Sequence, residues 1–463
     1  MAFLLLVTLS LSARAVLGKT HRDVWRVGDD CPTEITTRRI PQGSGKFYNM
    51  ETIYAALLSC PNITTLKMMA VWDNGCVIMD NPYWMSLPFD HLGQDRFRSV
   101  LQVLTLDGYE SDAMGAPASA PRWYWPEWVY RDLDHTTISG LQSNKTSFDR
   151  WIEAMDFSKL HTLNFVSEGG YPYSLTDNVV KVLPPHLTSL RNLSLYFRIG
   201  ERFILRLRKN SLHHLAWRNS WRKFWHSEPV SSSPLIPVLR HQGASLKSLY
   251  FHTDETNEAS APVLTVSEIQ QLVELAPNLH SLVIDLRRNN DSGAHEWPWE
   301  ELKLLVEGLP DLIDLTVYFD LLNDPYCRQG YFEPISRCHE LRIANLTDCI
   351  EACIANPRVN EATVADIAHF LWRYKMGKSL HRLTIRAGNW GPWFDPKMVG
   401  YSWFDGKRAQ ARCAVVDAVA HVDALGPIRC EAWSTDLLDR HRGDFFGPKG
   451  KLGWEDRYLD YFL

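Results

Sequence analysis

The phrase Leu-x-x-Leu-x-apolar recurs along the chain, and no other feature so narrows what the chain can fold into. It appears as Leu101/Leu104/Leu106, Leu160/Leu163/Phe165, Leu190/Leu193/Leu195 and Leu212/Leu215/Trp217. It continues as Leu246/Leu249/Phe251, Leu279/Leu282/Ile284, Leu312/Leu315/Val317 and Leu380/Leu383/Ile385, with looser copies at Ile63/Leu66/Met68 and Cys338/Leu341/Ile343. The copies that begin at 246, 279 and 312 lie 33 residues apart. Each copy runs on with period two, so it reads as a short strand. Leu282, Ile284 and Leu286 face one way, and Val283 and Asp285 the other.

Between copies runs a second pattern, apolar residues stepping by 3, 1 and 3. It is written as Ile269/Leu272/Val273/Ala276, Leu302/Leu305/Val306/Leu309, Phe148/Trp151/Ile152/Met155 and Ile53/Ala56/Leu57/Cys60. That spacing is one apolar stripe on a helix. Thr265 and Glu268 have the form of a capping box, and Pro298 suits a first helical position. The helices end at a Pro or Gly just before the next leucine-rich copy. The unit is therefore helix, tight turn, strand, loop. One unit cannot bury its own stripe, whereas stacked neighbours bury it continuously. Short strands joined through helices pair in parallel. The expected architecture is one elongated α/β solenoid over residues 50–435, not the two or three globules that 463 residues would otherwise suggest. Residues 19–49 are then an N-terminal capping segment and 436–463 a C-terminal cap or tail. With 45% hydrophobic residues the chain can fill such a core.

This grammar resembles the irregular, long-repeat leucine-rich-repeat proteins of the ribonuclease-inhibitor-like kind, and the repeat region of fungal F-box proteins. The resemblance spans roughly 50–435. It implies a right-handed solenoid of about ten irregular strand–loop–helix repeats with a parallel sheet on its concave face. It also implies a fungal source. The function expected of the chain is that of a non-catalytic recognition protein that binds a protein partner. The family's usual Asn or Cys after the strand is replaced here by Asp107, Tyr196, His252, Asp285 or Tyr318. F-box relatives carry a helical F-box before the repeats. Residues 1–49 hold Pro32 and Glu34 but no apolar helical run after them, so no F-box is legible. The alternative function is an intracellular substrate-recognition protein of the F-box type that lacks its F-box, cytoplasmic or nuclear.

Two surfaces are expected to bind. The strand positions that point away from the leucines include Tyr196, Arg218, Tyr250, His252, Asp285, Tyr318 and Arg386, residue types suited to protein recognition when exposed in a row. The long insertions nearly all fall after a strand and before the next helix, so in a stack they share one rim. They carry many of the 18 tryptophans, among them Trp123, Trp125, Trp128, Trp297 and Trp299. Aromatic loops on a rigid scaffold supply hot-spot contacts, although such residues also serve as packing.

Residues 1–18, with an apolar stretch from Phe3 to Leu11 and Ala13-Arg14-Ala15 after it, read as a secretory signal peptide, which places the mature protein outside the cell. No later apolar run reaches the ~18 residues of a membrane span. Asn62, Asn144, Asn192, Asn290 and Asn345 head Asn-x-Ser/Thr sequons. Nine cysteines in an oxidising compartment leave one over, and Cys60/Cys76, Cys327/Cys338 and Cys413/Cys430 are the pairs expected first. The net charge of −5 argues against nucleic acid as partner.

Motifs of chemistry are weak. In His295-Glu296-Trp297-Pro298-Trp299 the second histidine of a zinc-protease helix is missing. Cys338, His339, Cys349 and Cys353 lack knuckle spacing. Residues 447–453 lack the length of a phosphate-binding loop before their lysine. Asp132, Asp134 and His135 read as a solvated turn. No catalytic residue, metal site or cofactor is expected.

Overall fold

The structure, a computed structural model, describes residues 25–37, 46–47, 49–69, 86–89, 96–109, 111, 145–166, 175–195, 199–220, 233–254, 263–287, 297–319, 359, 361–388, 408–415 and 428–434. The signal segment at 1–18 and the tail at 436–463 lie outside them, as do Tyr196, Trp123, Trp125, Trp128, Asn144, Asn290, Asn345, Cys76, Cys327 and Cys338. The chain divides into two compact units, Met1–Ser211 and Leu212–Leu463.

In the first unit the strands are β1 (Glu34–Thr36), β2 (Thr65–Met69), β3 (Val103–Asp107), β4 (Thr162–Val166) and β5 (Asn192–Leu195). They pair in parallel and in sequence order. The helices are α1 (Met50–Ser59), α2 (Ser147–Ala154), α3 (Asp177–Val182) and α4 (Gly200–Ile204). In the second unit β6 (His214–Ser220), α5 (Leu235–Gln242), β7 (Ser248–Asp254), α6 (Val266–Leu275), β8 (Ser281–Leu286), α7 (Trp299–Gly308) and β9 (Asp314–Phe319) alternate strictly. Then follow α8 (Glu361–Tyr374), β10 (Arg382–Gly388), β11 (Arg408–Val415) and β12 (Ile428–Ser434). Strands β6 to β10 are parallel. The last two pairings, β10 with β11 and β11 with β12, are antiparallel, which corrects the expectation of parallel pairing throughout. The repeat grammar ends with the copy at Leu380, and strands that follow it without that grammar have no crossover helix among the described residues to impose parallel pairing. This α/β alternation is compatible with a repeat solenoid.

Nine of the ten leucine-rich copies lie on described residues, and each supplies one of the strands β2 to β10. None of their 27 signature side chains is more than 2% exposed. The helical stripes meet them: Ile53, Trp151, Ile269, Leu272, Leu302 and Leu305 are all fully buried. Each full burial of a Leu- or Phe-sized chain contributes about 1.5–3 kcal/mol, so every copy adds to the core of its own unit. The capping box at Thr265 and Glu268 forms, and a second one, Thr146 with Asp149, opens α2. Pro298 sits one residue earlier than expected, at the cap of α7. Close helix approach is set by glycine. A Cβ on Gly308 at the end of α7 would clash with Val273 Cγ1 on α6, so glycine is what fits there.

Two disulfides are present among the described residues. Cys413 and Cys430 are direct register partners on β11 and β12 and are bonded, as the sequence suggested. Cys60 is bonded to Cys31 and not to Cys76. The reason is β1, which the sequence did not reveal. Its pairing of Glu34 with Thr65 lays the segment before it beside the end of α1, with the two cysteine Cα atoms 5.4 Å apart.

Candidate functional site

The face of the second unit's sheet opposite its leucines is built from strand positions that alternate with the buried copies. The register orders them into rows. One row runs Ser281, Asp314, Arg382, Ala414, Arg429, and the next Val283, Thr316, Thr384, Arg412, Glu431. The third runs Asp285, Tyr318, Arg386, Gln410. His252 extends the third row through a 2.6 Å contact of its Nδ1 with Asp285 Oδ1, and Arg218 is the register partner of His252. Five of the expected binding residues, Arg218, His252, Asp285, Tyr318 and Arg386, thus fall on one line across β6 to β10. Tyr250 lies one row away, its hydroxyl 3.4 Å from that of Tyr318.

The expectation that all of these residues are exposed is corrected by the structure. His252, Asp285 and Tyr318 are 3%, 4% and 3% exposed, while Tyr250, Arg218 and Arg386 are half-buried. The physical reason is lateral packing. Strands two apart are separated by about 9.6 Å, yet the His252 and Tyr318 rings, on β7 and β9, stack with centroids 3.8 Å apart and planes at 23°. Asp285, on the strand between them, is buried with them. Asp285 is held by the backbone N–H of Thr253, which donates to Oδ2 at 2.6 Å, and by His252. An ionised carboxylate only accepts, so Nδ1 of His252 is the donor. Arg386 donates from Nη1 to the Tyr318 hydroxyl at 2.6 Å and from Nε to Gln410 Oε1 at 2.9 Å. A histidine oriented by a carboxylate is also the arrangement of a general base. Here both are covered, and Nε2 too is out of reach of solvent, so the pair orders the face.

Beside this line lies a half-open hollow of about 430 Å³ over β8 to β12. Arg382, Arg386, Arg412 and Arg429 line it, with Asp314 and Glu431 as its acids and Thr316 and Thr384 on its floor. Arg382 Nε lies 3.8 Å from Asp314, and Arg429 Nη2 3.3 Å from Glu431. Arg412 is exposed and has no hydrogen-bond or ion-pair partner among the described residues. Arg382, Arg412, Arg429 and Gln410 are not among the residues expected from the sequence. The available signal was the period-two alternation of polar with small or apolar residues in Arg408–Val415 and Ile428–Ser434, which marks two amphipathic strands.

Of the expected rim residues, two are described, and both are half-buried against neighbouring rings. Trp297 lies 4.9 Å from Phe319, and Trp299 lies 4.7 Å from Phe370, centroid to centroid. Asn62 is exposed in the turn after α1. Asn192 lies within β5 and donates from Nδ2 to Thr162 Oγ1 at 2.9 Å. No group of three or more metal-ligating side chains is found among the described residues. Nor is any helix there long and apolar enough to cross a membrane. Comparison of the chain with models of known protein families and with curated proteins gives no match.

Proposed function

We propose that the chain is a non-catalytic recognition protein of the leucine-rich-repeat type, a right-handed solenoid exported from the cell, that grips a protein partner with the polar face of its second unit's sheet. The observation that carries this reading is the single line of Arg218, His252, Asp285, Tyr318 and Arg386, ordered side chain by side chain beside an open hollow. A rigid face that mixes tyrosine and arginine has the composition of an interface core, and its pre-ordering lowers the entropy lost on binding. Export is supported by the two disulfides, which persist in oxidising compartments.

Panning a displayed peptide library against the full chain tests the binding reading. Selected clones should lose binding to a Tyr250→Ala/Thr316→Glu variant and keep it toward Glu274→Lys, an exposed change on α6. Clones indifferent to the sheet variant, but lost on removal of 123–128, would move the site to the rim. Export is checked by N-terminal sequencing and a glycosidase shift of the secreted product. A chain that retains Met1 and stays unglycosylated inside the cell would refute it.

A further inference from the structure

We infer that the hollow over β8 to β12 takes an acidic segment of the partner polypeptide, Asp or Glu carboxylates entering among Arg382, Arg412 and Arg429. The inference rests on the recognition reading above and specifies the partner's chemistry. Four guanidinium groups and two carboxylates line the hollow, an excess of two positive charges, in a chain whose net charge is −5. A local basic concentration on an acidic molecule focuses field at that place and repels polyanions elsewhere.

The arrangement of the arginines says more than the count. Arg382 and Arg429 are held upright by Asp314 and Glu431, at contacts of 3.8 and 3.3 Å that leave most of each guanidinium fork unused. Arg412 stands between them in the middle row, the register partner of Thr384 on one side and Glu431 on the other. It is exposed and has no partner among the described residues. Its fork is therefore the one ready to close bidentately on an incoming carboxylate, the geometry in which arginine binds most strongly. Asp314 and Glu431, set in the wall, favour a singly charged carboxylate over a phosphate, whose extra charge they would repel. At about 430 Å³ and half open, the hollow admits a short extended segment and is too small for a duplex or a folded domain.

The test uses the full, disulfide-intact chain and fluorescence anisotropy of a labelled Gly-Glu-Glu-Glu-Glu-Gly peptide. The comparators are the same peptide with Gln for Glu, inorganic phosphate and a single-stranded oligonucleotide. Saturable binding of the Glu peptide is expected, weakening with salt and at least tenfold tighter than the Gln peptide. Arg412→Gln should lose about tenfold, a magnitude of the order given by one charge-assisted contact. Arg412→Lys should recover part of the loss, and Glu274→Lys should change nothing. Circular dichroism melts of each variant separate lost binding from lost fold. Equal binding of the Glu and Gln peptides, or indifference to Arg412→Gln in a folded variant, overturns the inference. So does tighter, Arg412-dependent binding of phosphate or oligonucleotide. If library clones without acidic residues still depend on Tyr250 and Thr316 while the Glu peptide fails, the recognition reading stands and the acidic partner does not. If both fail, both fall.

Discussion

Removal of the Asp285 carboxylate should be among the most damaging single changes on the polar face. In the structure it accepts two buried donors, Thr253 N–H and His252 Nδ1, each at 2.6 Å, with Thr253 1% and His252 3% exposed. Asp285→Ala leaves both without their acceptor, and each stranded buried donor costs about 1–3 kcal/mol. The sum, about 2–6 kcal/mol, brackets the roughly 3–5 kcal/mol of breaking a buried pair from one side. Asp285→Asn keeps the shape and an oxygen for Thr253 N–H. Its amide must then donate to Nδ1, so the imidazole switches tautomer, and the loss should be only about 1 kcal/mol. Replacing both partners, Asp285→Leu with His252→Phe, should cost well below the sum of the separate changes, a coupling of at least about 1.5 kcal/mol. Equilibrium unfolding in urea at one pH, with disulfides intact and Trp fluorescence and far-UV dichroism read together, measures the Ala and Asn variants, the two separate changes of the pair and the double change. Ala and Asn variants of equal stability, or an Ala variant within about 0.5 kcal/mol of the parent as at an open surface site, would refute the buried, doubly bonded carboxylate.

Leu282→Ala and Leu315→Ala should each cost about 2–5 kcal/mol. Because the two are register partners on β8 and β9, the double change should depart from additivity in urea melts. Gly308→Ala should cost about 1–3 kcal/mol by overpacking against Val273, and Val273→Ala in the same chain should restore most of it. The Asp311 carboxyl is held below the ordinary carboxylate range chiefly by the hydrogen bond from Lys378, 2.8 Å away. A depressed carboxylate lends stability that is complete above its unfolded value, near pH 4, and fades as the pH falls through its folded one. Lys378→Met should therefore lower the unfolding midpoint at neutral pH and narrow its gap to the parent as the solution is acidified below about pH 4. A gap that is constant with pH would contradict the assignment.

The strands and stripes were legible because burial imposes period on sequence. Leu249, Leu282, Leu315 and Leu383 sit at fixed offsets from their preceding leucines, and each is a core residue of consecutive or neighbouring strands. The line of His252, Asp285 and Tyr318 was legible as a shared face for the same reason. Its burial was not, because a period-two pattern says which way a side chain starts and not whether the side chains of neighbouring strands will bury it. The partner of Cys60 was illegible because it depends on β1, three residues long and without a leucine-rich copy. The arginine hollow was missed because it is assembled across β8 to β12, with the antiparallel turn of direction after β10 bringing Arg412 and Arg429 beside Arg382.

The claim that the polar sheet face is where this chain meets its partner is tested most directly by hydroxyl-radical footprinting of the full chain with a library-selected binder at saturation. Protection should concentrate at Tyr250 and at the segments Asp314–Phe319 and Arg408–Val415, with the exposed positions of α6 unchanged. Protection confined to the tryptophan segment 123–128, or to the helical face, with Tyr250 as reactive bound as free, would contradict it.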